Sequence, residues 1–189
     1  QSYFILLVEK EVQGKTESLL KQRHIPNSKR FLAGSLLQGY EITRLKRPKS
    51  HNKDKGIGRT AASGFKVKPL SEDMNFECFS SEIAGITSQE KRLLEAISTG
   101  AQRLQCYRDK DLLQYALGLQ EGDLVKVKHR QDSTSPFEDV ESVVRYIGPL
   151  HVFGYRAGTY FGLELRDPKY RGHGTSDGEF CTQRYFQTE

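Results

Sequence analysis

The stretch Ile147–Phe186, IGPLHVFGYRAGTYFGLELRDPKYRGHGTSDGEFCTQRYF, decides the fold. Seven glycines, at 148, 154, 158, 162, 172, 174 and 178, separate its short apolar runs. Glycine takes positive φ and lets backbones approach closely, so this spacing marks tight turns between short elements. From Thr159 to Leu165, Phe161, Leu163 and Leu165 point one way, and Tyr160, Gly162 and Glu164 the other. That alternation predicts a half-buried strand. Asp123–His129 and Glu141–Ile147 have the same character, and Phe180–Arg184 links the glycine loop to the closing aromatic pair, with Cys181 a small residue on a β segment. Short strands, glycine turns and no helical period predict a small, twisted antiparallel barrel.

The same residues resemble the CAP-Gly family, whose members are SH3-like barrels that bind the acidic, aromatic-ended tails of tubulin and microtubule-tip proteins. Tyr155, Gly158, Tyr160, Gly162, Glu164 and Leu165 fit the first half of the family pattern. Asp177, Gly178, Tyr185 and Phe186 fit the second. The family's Gly-Lys-Asn-Asp-Gly loop reads here Gly174-Thr175-Ser176-Asp177-Gly178, so Thr175 and Ser176 replace the residues that grip a terminal carboxylate. Glu189 comes before the family's last strand, so the expectation is a C-terminally truncated domain over 121–189.

The resemblance implies a peptide groove. Tyr155, Tyr160, Tyr185 and Phe186 would line or support it, with Phe186 favoured as core and Tyr160 as groove. Thr175, Ser176, Asp177 and Gly178 would supply loop amides and hydroxyls, with Asp177 shaping the turn. Arg184 would pair with a partner's acidic side chains. A lost charge-assisted contact is worth ~1.5–3 kcal/mol, which predicts weaker tail binding than in a member with the loop lysine.

Upstream, Tyr3–Val8 (YFILLV) predicts a short, largely buried strand, and Glu17–Arg23 a helical turn, within a segment over 1–25. Residues 26–68 are polar and basic. Within Arg44–Arg59 the bases Arg44, Lys46, Arg47, Lys49, Lys53, Lys55 and Arg59 stand against one acid, Asp54, and one strand-like island covers Gly39–Leu45. This predicts a flexible basic linker whose alternative role is attraction to a polyanion. No aromatic residue is interleaved between Arg44 and Arg59, which counts against single-strand nucleic-acid binding by stacking.

Residues 69–120 hold an extended acidic piece, Ser71–Glu82, and then helices. Thr87-Ser88-Gln89-Glu90 is a capping box. Leu93, Leu94, Ile97, Ala101 and Leu104 follow as one apolar stripe that runs through Gly100. A second helix over Asp109–Leu117 ends at Gly118. This helical run, continuing into DLVKV, with the early YFILLVE strand, resembles the N-terminal region of a CAP-Gly-bearing family of cysteine deubiquitinases. That resemblance implies a regulatory, non-catalytic part of a ubiquitin carboxyl-terminal hydrolase. The family trims signalling-type and linear ubiquitin chains, restrains NF-κB signalling and associates with microtubules in the cytoplasm. The alternative it leaves open is a scaffold that docks a signalling protein and binds no tubulin.

Composition sets the outer limits. A hydrophobic fraction of 36% and mean hydropathy of −0.63 are too low for one core across 189 residues. No apolar run approaches the ~18 residues of a membrane span, and Gln1–Val8 lacks the features of a signal peptide. Without an initiator Met the chain reads as a fragment of a longer protein. The three cysteines, Cys78, Cys106 and Cys181, have no metal spacing and read as reduced thiols, so no metal or other cofactor is expected. The five histidines are scattered, and neither Gly-rich stretch has a phosphate-loop Lys-Ser/Thr. Cys181 with His173 and Asp177 is the nearest approach to a catalytic set, and no catalysis is expected of this chain.

Overall fold

The structure, a computed structural model, describes residues 2–13, 28–42, 64–130, 133–152, 154–170, 172, 174 and 176–188. It divides into two units: Gln1–Lys91 with Ile97–Arg108, and Arg92–Ala96 with Asp109–Glu189.

In the first unit β1 (Ser2–Leu6) is an interior strand of a five-stranded antiparallel sheet. The order is β6 (Phe76–Phe79), β5 (Gly64–Pro69), β4 (Leu36–Ile42), β1 and β7 (Ile83–Ile86). Phe4 sits opposite Leu37 on one side and Gly85 on the other. Phe4, Ile5 and Leu6 are all buried, so the strand reads as a continuous apolar run rather than an alternation. A separate ribbon pairs β2 (Lys10–Gln13) with β3 (Ser28–Phe31). Phe4, Leu6, Phe31, Leu37, Val67, Phe76, Cys78 and Ile83 form the core. The Phe31 and Phe76 rings stack at 4.9 Å. Full burial of each such side chain contributes about 1.5–3 kcal/mol.

This sheet draws β4 and most of β5, and the ribbon draws β3, out of residues 26–68, which the composition had placed in one flexible linker. Charged residues outnumber Phe31, Leu36, Leu37 and Val67 there, yet all four are buried, Leu36 and Leu37 opposite Ile5 and Phe4 of β1, and Phe31 and Val67 in the same core. Gly39–Ile42 of the island expected at Gly39–Leu45 lie in β4, which starts earlier, at Leu36, and the rest of the island lies outside the described residues. The helical turn at Glu17–Arg23 and the basic cluster Arg44, Lys46, Arg47, Lys49, Lys53, Lys55 and Arg59 lie outside the described residues.

Three helices follow: α1 (Ser88–Ala96), α2 (Gly100–Arg108) and α3 (Lys110–Gly118). The capping box forms as read: Glu90 Oε2 accepts from the Thr87 amide at 2.7 Å, and Thr87 Oγ1 accepts from the Glu90 amide at 3.1 Å. The single helix expected through Gly100 is instead two. Thr99 Oγ1 accepts from the Gln102 amide at 3.3 Å and donates to Gln102 Oε1 at 2.8 Å, so Thr99 caps the start of α2. Arg103 fastens the break by donating to the carbonyls of Ile97 and Ser98. Asp109 caps α3 by accepting from the Leu112 amide at 3.0 Å. Gly118 is the last helical residue of α3, and extended Leu119 terminates it.

The second unit holds a three-stranded antiparallel sheet in the order β10 (Tyr160–Leu165), β9 (Glu138–Gly148), β8 (Leu124–His129). Val125, Val140, Ser142, Val143 and Val144 are buried in it. Between Gly162 and Leu163 the register steps past Arg145, a β-bulge that bends the strand pair. All six residues of β10 are half-buried, so the expected alternation does not appear in their burial. A two-stranded ribbon, β11 (Glu179–Phe180) with β12 (Gln183–Arg184), stands beside this sheet without joining it. Among the described residues there is therefore no closed barrel. The ribbon strands are two residues long and pair only with each other, leaving β8 and β10 as sheet edges.

Candidate functional site

The candidate site gathers the loop before β10, the glycine loop and the β11–β12 ribbon. Tyr155, 49% exposed, sits in the loop and meets Phe180 edge-on at 4.9 Å. Such pairs add about 0.5–1.5 kcal/mol beyond burial, which holds an aromatic ledge in place at the surface. Tyr160 opens β10 opposite Gly148 and is half-buried, its hydroxyl donating to the Arg156 carbonyl at 3.0 Å. That bond ties the loop carrying Tyr155 to the strand carrying Tyr160.

Tyr185 and Phe186 support the site from behind. The Tyr185 hydroxyl accepts from the His151 amide at 3.0 Å and donates to Gln183 Oε1 at 3.2 Å. Its ring lies edge-on to Tyr146 at 5.0 Å. Phe186 packs where Gly162 and Gly178 leave room. A Cβ at Gly162 would stand 2.4 Å from Phe186 Cε1, and one at Gly178 would stand 2.2 Å from the Phe186 carbonyl oxygen. Gly178 also has φ +92°, a conformation that favours glycine.

The glycine loop is braced from within. Ser176 Oγ and Asp177 Oδ1 each accept a long bond, 3.4 Å, from the amides of Gly178 and Glu179. Arg184 donates to Asp177 Oδ2 at 3.0 Å, to the Asp177 carbonyl at 3.1 Å and to Glu179 Oε2 at 3.3 Å. Hydrogen bonding to this guanidinium, aided by the Glu179 amide, holds the Asp177 carboxyl below the usual carboxylate range. Sequence reasoning left Arg184 for a partner's acids, whereas here it serves two acids of its own chain. Asp177 bonds the turn it sits in. Thr175 lies outside the described residues.

Phe180, Glu179 and Tyr146 were missed in the sequence. Their signal was weak because the turn Cys181-Thr182 is not a usual hairpin dipeptide. Both residues have positive φ, 48° and 65°, where Asn-Gly is the favoured pair. Cys181 is therefore an exposed turn residue and not a β-segment residue. His173, its nearest histidine in sequence, lies outside the described residues.

A cleft of about 980 Å³ in this unit lies largely elsewhere. Leu124, Val143, Leu163 and Leu165 line it, and Ser176 and Asp177 border it, but Tyr155, Tyr160, Tyr185 and Phe186 do not. Its Arg145 and Glu164 pair with each other at 2.6 Å. The aromatic ledge is the better candidate because it offers the exposed Tyr155 ring, held by half-buried Phe180 at the end of the glycine loop. Among the described residues, no group of three His, Cys, Asp or Glu side chains could hold a metal ion, and no helix is long and apolar enough to cross a membrane.

Residues 127–189 match the CAP-Gly domain family, and the chain carries a CAP-Gly domain. Over 188 residues, 99% of its length, the chain is 28% identical to the Mus musculus ubiquitin carboxyl-terminal hydrolase CYLD and covers 18% of that protein. It is 27% identical over 188 residues to the Homo sapiens CYLD, again covering 18% of it. A shorter match, 108 residues and 57% of the chain, is 31% identical to the Rattus norvegicus CYLD and covers 11% of it. The matched part is the N-terminal, non-catalytic region, and this chain holds no hydrolase domain. No solved structure matches it.

Proposed function

We propose that this chain is a non-catalytic recognition region whose CAP-Gly domain captures acidic protein tails ending in an aromatic residue, such as those of tubulin. The carrying observation is the exposed Tyr155 ring held edge-on to Phe180, three residues past Asp177 in the glycine loop. A partner's terminal ring would pack against Tyr155 and Tyr160, gaining a few kcal/mol from burial. The amides and hydroxyls of Thr175–Gly178 would bond its backbone and carboxylate. By its similarity to CYLD the region would serve a regulatory role in a larger deubiquitinase, bringing it to microtubules or to a signalling partner.

The test is titration of a fluorescent peptide ending in Glu-Glu-Tyr, with the peptide lacking its tyrosine as control. Tyrosine-dependent binding that Tyr160→Ala abolishes, with the circular dichroism spectrum kept, supports the reading. Equal binding of the two peptides, or none, overturns it.

A second reading, docking of a signalling protein without tubulin binding, is favoured by the state of Arg184. Asp177 and Glu179 already neutralise that cation, and Thr175-Ser176 supply no other. It predicts no tail binding and no effect of Tyr160→Ala on the true partner.

A further inference from the structure

The eight residues between β8 and β9, Arg130–Phe137 (RQDSTSPF), play no part in the recognition site. We infer that Ser135 is a phosphate-acceptor site for a proline-directed protein kinase, built into the β8–β9 connection.

The sequence makes the assignment specific. The six prolines follow Ile25, Arg47, Lys68, Ser135, Gly148 and Asp167, so Ser135 alone offers a hydroxyl directly before proline. Proline at that place has no N–H, and it biases the preceding residue toward extended backbone. A kinase that threads its substrate as an extended strand and reads the next residue by an apolar pocket selects both properties.

The structure makes the position reachable. His129 opposite Glu138 is the last pair of the β8–β9 ladder, so Ser133–Phe137 belong to no strand. Ser133, Thr134 and Pro136 are exposed, Phe137 is 60% exposed, and Ser135 is half-buried. Presenting Ser135 to a kinase therefore breaks no strand pairing.

A cation also waits at the base of the loop. Arg130 lies over the Phe137 ring at 5.0 Å and donates to the Ser133 carbonyl at 3.3 Å, a long bond to a neutral acceptor. A phosphate at Ser135 would draw that guanidinium into charge-assisted hydrogen bonds. In the reaction the Ser135 Oγ attacks the γ-phosphorus of ATP and a new O–P bond forms. The bond from that phosphorus to the β–γ bridging oxygen breaks, ADP leaves, and the hydroxyl proton passes through the kinase base to solvent.

The experiment incubates the whole chain with a purified proline-directed serine/threonine kinase and magnesium ATP, and locates phosphate by intact-mass and fragmentation mass spectrometry. A free peptide spanning 129–140 serves as the unfolded reference. The expected result is one phosphate, on Ser135, absent in Ser135→Ala and formed at least about tenfold more slowly in Pro136→Ala. Phosphate on Ser133 or Thr134 instead, or a whole chain left unmodified while the peptide reacts, overturns the proposal. In the phosphorylated chain, a phosphorus NMR titration reads the partner. Arg130→Ala should raise the second phosphate pKa toward its ordinary ~6, and an unchanged value overturns the role given to Arg130.

Discussion

Strands β1 and β10 show how differently the two units use an apolar run. In β1, Phe4, Ile5 and Leu6 are buried between neighbours on both edges. In β10, Tyr160–Leu165 is paired on one edge only among the described residues, and every residue is half-buried. The first arrangement places its apolar atoms in a core. The second keeps rings and glycines near a surface where another chain could reach them, at the cost of contacts that would otherwise stabilise the strand. Hydrophobic content does not separate the strands; pairing on the second edge does.

The contrast breaks most readily at Leu37, which is fully buried. Leu37→Ala should cost about 2–5 kcal/mol in urea denaturation, and Leu163→Ala in half-buried β10 clearly less. Equal costs would remove the distinction between the two strands.

The cysteines sharpen it chemically. Burial pushes the Cys78 thiol from its ordinary 9.0 up to about 11. The folded protein then holds the proton that the unfolded chain releases first. Stability from this group is fully present below pH 9 and declines as pH rises toward 11, by on the order of 2 kcal/mol. Comparing wild type with Cys78→Ala over that window isolates the effect, because tyrosine ionisation is common to both. At pH 8 an alkylating reagent should modify exposed Cys181 rapidly and buried Cys78 only on unfolding. Rapid modification of Cys78 in the native protein would contradict its placement in the core.

The smallest effect lies in the β11–β12 turn. Thr182 holds φ 65°, costly for a β-branched residue. Thr182→Gly should stabilise by roughly 0.5–1 kcal/mol in thermal denaturation, and Thr182→Val should not.

Much of the second unit was legible because its cues are local. The glycine spacing, the Tyr160–Leu165 strand and the Asp109 start of α3 each lie within a few residues, as does the Thr87–Glu90 capping box of the first unit. Thr99-x-x-Gln102 was equally local, and an apolar stripe running through Gly100 concealed it. The first unit was poorly legible because its cues are distant. Leu37 is a core residue through pairing with Phe4, more than thirty positions away, inside a segment whose composition argues for a linker. The site was legible as a set of aromatic types but not as an arrangement. Nothing in the order Asp177, Glu179, Arg184 says that the arginine turns back onto both acids.

By itself the sequence determined the CAP-Gly pattern, the starts of α1 and α3, and the residue types available to the site, because glycine φ, capping and side-chain chemistry act over a few residues. Tertiary structure decided which apolar residues of a basic stretch became core, whether β10 was buried or shared, and that Arg184 was occupied. Those outcomes depend on pairing partners far along the chain, and pairing free energy is set in space.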